Sequence, residues 1–194
     1  MSELSLQEWQ DKVVDWANRK GWWEEKDRND GQLIALMHSE VSEAFEALIN
    51  ATTTAEDLSR EVTIEDLMAE RSPKDDQLPL FVEEAADVVI RIMDWAGHRG
   101  YQIPYHDASP SCPVDGTVEI EVLYLTNGMH RALTQVLEEL RQPTVDKESI
   151  QLFLLDVVNY AMFCCQMCDW KLTDAIDAKM AINEKRAYRH GKMF

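Results

Sequence analysis

The sequence predicts an all-α helical bundle, on three observations. Apolar residues recur at helical spacing along most of the 194 residues, strictly alternating β-branched runs are nearly absent, and Gly21, Gly100 and Pro143 fall where periodic stretches stop. With 45% hydrophobic and 28% charged residues the chain is neither low-complexity nor disordered. Its length suits a single domain over 1–194 with a sizeable core.

The elements follow in order. Ser5-Leu-Gln-Glu8 is a capping box that opens a first helix running to about Lys20, with Trp9, Val13, Trp16 and Ala17 on its apolar stripe. A second helix, about Asp30 to Ile49, carries Leu33, Leu36, Met37, Val41, Ala44, Phe45 and Leu48 on one face. Residues 51–79 form a polar, acidic excursion with a short helix at Ile64 to Glu70, expected to be mobile. A third helix, about Leu80 to Arg99, is apolar nearly all round and should be central. Pro104, Pro110 and Pro113 make 102–117 a loop. An extra helical hairpin over 118–170, with helices at about Val118 to Arg141 and Asp146 to Asp169, precedes a last helix, Thr173 to Arg189. That is about six helices.

Two stretches align with each other. Met37-His38-Ser-Glu40-Val-Ser-Glu43 lies over Met129-His130-Arg-Ala132-Leu-Thr-Gln135, and Glu84 and Asp87 lie over Phe153 and Asp156. A degenerate duplication of a helical hairpin would produce this, and so would chance likeness between amphipathic helices.

Charge excludes some functions. Against 36 Asp+Glu there are 19 Lys+Arg, a formal net charge of −17, which is the wrong sign for a protein that grips duplex nucleic acid. The N-terminal residues show no basic and apolar leader, so a cytoplasmic location is expected. The apolar run Phe153 to Cys168 is interrupted by Asp156, Asn159 and Gln166 and reads as a buried core helix with no membrane role. Cys112 is expected in a loop, and Cys164, Cys165 and Cys168 as buried reduced thiols.

Glu40 and Glu43 are three apart on the second helix, as are Glu84 and Asp87 on the third, so each pair projects from one side. Carboxylates converging between apolar helices repel and resist desolvation unless they hold a cation or a proton. Mg²⁺, with Mn²⁺ as a substitute, suits such oxygen donors. The alternative is a set of rim positions paired with Arg91 or lysines. No Glu-x-x-His pair is present to make a di-iron bundle.

Glu40-Val-Ser-Glu43 followed by Glu84-Ala-Ala-Asp87-Val-Val-Ile-Arg91 resembles the ExxE…ExxD signature of the MazG-like all-α nucleoside triphosphate pyrophosphatases. Lys179-Met-Ala-Ile-Asn183-Glu-Lys-Arg186 with His190-Gly191-Lys192 looks like that family's C-terminal segment. The likeness covers about residues 30–50, 80–101 and 170–194. It implies a four-helix core and Mg²⁺-dependent hydrolysis of (deoxy)nucleoside triphosphates to monophosphate and pyrophosphate, in a homodimer or homotetramer. It also implies Glu40, Glu43, Glu84 and Asp87 as metal ligands and catalytic carboxylates, with Lys179, Asn183 and Arg186 on the substrate. A purine such as dGTP is the guessed substrate, by likeness to phage-type members, with dUTP or dCTP as alternatives. Two departures stand out: a longer interval between the acidic pairs, and the extra helices before the tail.

Lys179, Asn183 and Arg186 fall on one face of the last helix and could clamp phosphate or sugar oxygens, or simply complement the helix dipole. Trp22 and Trp23, past the first helix, could stack a base or staple the core. Arg91, four residues after Asp87, is expected to orient that carboxylate. The rival functional reading is a non-catalytic helical module for nucleotide sensing or oligomerisation.

Overall fold

The computed structural model describes residues 5–24, 28–54, 63–69, 71–72, 75–104 and 117–185. Among them are seven helices: α1 (Leu6–Arg19), α2 (Asp30–Thr54), α3 (Ile64–Ala69), α4 (Leu80–Arg99), α5 (Val118–Leu140), α6 (Lys147–Met167) and α7 (Leu172–Glu184). The architecture is the expected all-α bundle. Arg186, His190, Lys192, Cys112 and most of the proline-rich 102–117 stretch lie outside the described residues.

Local signals set the ends. Ser5 accepts from the Glu8 backbone N–H while the Glu8 carboxylate accepts from Ser5, closing both halves of the capping box. Thr117 caps α5 and Asp146 caps α6, each side chain accepting a first-turn N–H. Gly100 stops α4 in the left-handed region at φ 73°, which glycine adopts without strain. The structure differs from expectation at four places, two of them being that α7 ends at Glu184 rather than Arg189 and that Leu36 of α2 is exposed because it falls off the buried stripe. Helix α2 continues to Thr54, and the excursion contains a small antiparallel hairpin, β1 (Arg71–Ser72) with β2 (Asp75–Pro79), too short and polar to show as alternation.

Four helices make the centre. Helix α2 packs on α4 and α5, and α6 packs on α5 and α4, so the hairpins α2/α4 and α5/α6 sit side by side. Helix α4 also receives α1 and α7. Its all-round apolar surface is thereby used within the chain, and Phe81, Val82, Val88, Val89, Ile92 and Met93 are all fully buried. Helix α6 is long and apolar enough to cross a membrane by length and composition, but half of its most apolar window is buried inside the bundle, as in a core helix. Cys164, Cys165 and Cys168 are buried there, and burial pushes the Cys168 thiol up to about 12.

Candidate metal centre

Exchanging the hairpins two-fold, α2 with α5 and α4 with α6, maps these packings onto themselves. Under that exchange Glu40 corresponds to Ala132, both buried, and Glu43 to Gln135, both exposed. The acidic cluster therefore belongs to one hairpin.

Three carboxylates converge. Glu40 of α2 and Glu84 and Asp87 of α4 each offer an oxygen within 4.8 Å of the others, and all three are buried. This is the one such group found among the described residues. Glu43 lies one turn along α2, exposed, accepting a hydrogen bond from Ser39 Oγ at 3.3 Å. It stands outside the triad but close enough for its charge to act on Glu40 and Arg91.

Two cations border the triad. Arg91 reaches back from α4 and pairs with Glu40 Oε1 through Nε and Nη2, so it engages Glu40 rather than its expected partner Asp87. Lys179 Nζ of α7 lies 2.9 Å from Asp87 Oδ2 and 2.5 Å from Glu83 Oε1. Its side chain is 1% exposed, so Lys179 is a buried internal counter-ion here rather than an open substrate clamp. Asn183, one turn on, is also buried, and its Oδ1 has no hydrogen-bond partner among the described residues.

The electrostatics follow from this crowding. Glu40, Glu83, Glu84 and Asp87 are four buried carboxylates set against Lys179 and Arg91, which leaves two negative charges uncompensated when all are ionised. Burial first, then repulsion from Asp87, Glu83 and Glu40, pushes the Glu84 carboxyl up to about 8 despite the opposing pull of Lys179. Burial and Asp87 likewise hold Glu40 above its usual range, against Arg91. Burial pushes the Lys179 ammonium down, but Asp87, Glu84 and Glu83 outweigh it and keep the group charged. An oxygen-only donor set on two helices with two spare negative charges fits one hard divalent cation.

Glu83 was not singled out from the sequence. The available signal was its place on a helix apolar all round, where a carboxylate has no solvent face to occupy. Its partner, 96 residues away, leaves no local trace.

The tryptophans take structural posts. Trp23 Nε1 donates to Asp94 Oδ1 at 2.7 Å, and its ring stacks on His98 with centroids 4.0 Å apart, tying the α1–α2 connection to α4. Trp22 packs half-buried against the core with the Arg28 guanidinium 5.7 Å from its ring centroid. Asp94 is seven residues beyond Asp87, about 10 Å along the helix axis, so this knot lies two turns from the triad. In comparison with known proteins the chain matches no family model, no curated protein and no solved structure.

Proposed function

We propose that this chain is a divalent-cation-dependent hydrolase that converts a (deoxy)nucleoside triphosphate and water into a monophosphate and pyrophosphate, in the manner of the MazG-like all-α enzymes it resembles. The observation that carries the reading is the buried convergence of Glu40, Glu84 and Asp87, which with Glu83 make a set that Lys179 and Arg91 leave two charges short of neutral when every carboxylate is ionised. Such a cluster is costly for a fold to keep unless a cation uses it.

Bound Mg²⁺, or Mn²⁺ in its place, would neutralise triphosphate charge and lower the pKa of a ligated water. The chain's own residues do the rest. Glu40, Glu84 and Asp87 supply donor oxygens, Arg91 keeps Glu40 turned toward the cluster, and the buried packing around α4 excludes bulk water from the ligand shell. Glu43 is the exposed carboxylate available to an attacking water. A cytoplasmic pool enzyme, working as a homodimer or homotetramer, completes the proposal.

The test is a panel of dNTPs and NTPs, with Mg²⁺, with Mn²⁺ and with neither, resolving pyrophosphate from phosphate. Metal-dependent pyrophosphate release from one or two nucleotides, dGTP tried first and dUTP and dCTP next, is expected. No turnover by the folded, metal-supplied protein would overturn the proposal.

One observation favours a second reading, a nucleotide-sensing or oligomerisation module. The α5/α6 hairpin keeps the packing of the first while Ala132 and Phe153 stand where Glu40 and Glu84 would correspond, so this scaffold holds together without the chemistry. Glu43→Gln combined with Asp87→Asn separates the two: an enzyme loses turnover and stays folded, whereas a module changes only in stability.

A further inference from the structure

Glu83 and Lys179 form a closed ion pair inside the core. Their side chains are 0% and 1% exposed, with Nζ and Oε1 2.5 Å apart, and the same ammonium continues to Asp87 Oδ2 at 2.9 Å. A chain Glu83–Lys179–Asp87 thus runs from α4 to α7 and back to α4, ending on a carboxylate of the triad.

We infer that Glu83 is a positioning residue for the cation site, acting through Lys179 on Asp87; the inference rests on the metal reading above. A divalent cation beside Asp87 repels an ammonium on the same carboxylate, so Lys179 bonded to Asp87 alone would be driven off as the ion arrives. Glu83 lies outside the triad and holds the ammonium through a second carboxylate, at 2.5 Å. Lys179 then keeps Oδ2 of Asp87 engaged, and the carboxylate is turned to offer its other oxygen as a single donor. Glu83 touches neither cation nor substrate in this scheme.

The experiment is Mn²⁺ binding to the full chain, read by electron paramagnetic resonance of the free ion, with folding followed by circular dichroism. Glu83→Leu together with Lys179→Met removes one charge of each sign and fills the space with apolar groups, a replacement that buried pairs commonly tolerate. Local net charge is unchanged, so any loss of Mn²⁺ affinity reports the aim of Asp87. A loss of roughly 10- to 100-fold in the folded variant is expected.

Wild-type affinity in that variant would make the pair purely structural and overturn the inference. Should the double variant not fold, Glu83→Gln together with Lys179→Met keeps the local net charge and the shape of both side chains; the same loss supports the inference and an unchanged affinity overturns it. A wild-type chain that binds no Mn²⁺ removes the metal reading itself, a different result from a wild type that binds and a variant that binds equally well.

Discussion

His38 and His130 meet across the α2–α5 contact with their Nδ1 atoms 2.7 Å apart and their rings stacked, and they are also the residues that superpose when the two hairpins are aligned in sequence. A residue touching its own counterpart is what lies on a two-fold axis. The self-similarity read from a few aligned positions thus has a physical correlate in the bundle.

This pair predicts acid sensitivity. One neutral imidazole donates its Nδ1–H to the bare Nδ1 of the other, so protonating the acceptor sets two N–H groups face to face. Burial, with repulsion from His130 in the case of His38, holds both below the usual histidine range. Their contribution to stability is therefore present above about pH 6.5 and lost as pH falls through the depressed values. The melting temperature should drop on acidification below pH 6.5, and His130→Leu should flatten that drop.

Glu84 predicts the opposite slope. Its carboxyl, raised to about 8, binds a proton more tightly folded than unfolded, so its contribution is full below about pH 4.5 and lost as pH rises through 8. The metal-free protein should lose on the order of a few kcal/mol across that window. Glu84→Gln should remove the slope and raise metal-free stability at pH 8. Mg²⁺ should raise the wild-type melting temperature more at pH 8 than at pH 6, and do nothing for the variant.

Asp87→Asn should weaken Mn²⁺ binding by about tenfold or more and abolish turnover while leaving helicity intact. Titration calorimetry alongside circular dichroism checks this. An unfolded variant would instead show that Asp87 serves Lys179 first.

Gly128 lies under the Tyr160 ring, and a Cβ there would sit 2.6 Å from Tyr160 Cζ. Gly128→Ala should cost about 1–3 kcal/mol by overpacking. Tyr160→Leu in the same chain should recover most of it. Cation affinity should not change in either variant, because this contact belongs to the α5/α6 hairpin and the carboxylates to the other.

What the sequence made legible was local or periodic. The Ser5/Glu8 box, the stop at Gly100 and the all-round apolarity of α4 each act within a few residues, and each appears where expected. Three of the four expected carboxylates converge because i, i+3 spacing reports a shared helix face. The same spacing says nothing of how deep a position lies, which is why Glu43 turned out exposed and Lys179 buried. Partners far apart in the chain, Glu83 with Lys179 and Trp23 with Asp94, arise only when helices cross, and no periodicity encodes that.

The pairing of hairpins also fixes a stoichiometry. Two identical hairpins around a two-fold axis would carry two equivalent sites able to influence each other across it. With Ala132 and Phe153 in place of Glu40 and Glu84, the second position keeps one carboxylate, Asp156, so the proposed function implies a single class of cation site per chain, filled with no cooperativity inside the chain. Any sigmoidal dependence on metal would then have to originate between chains.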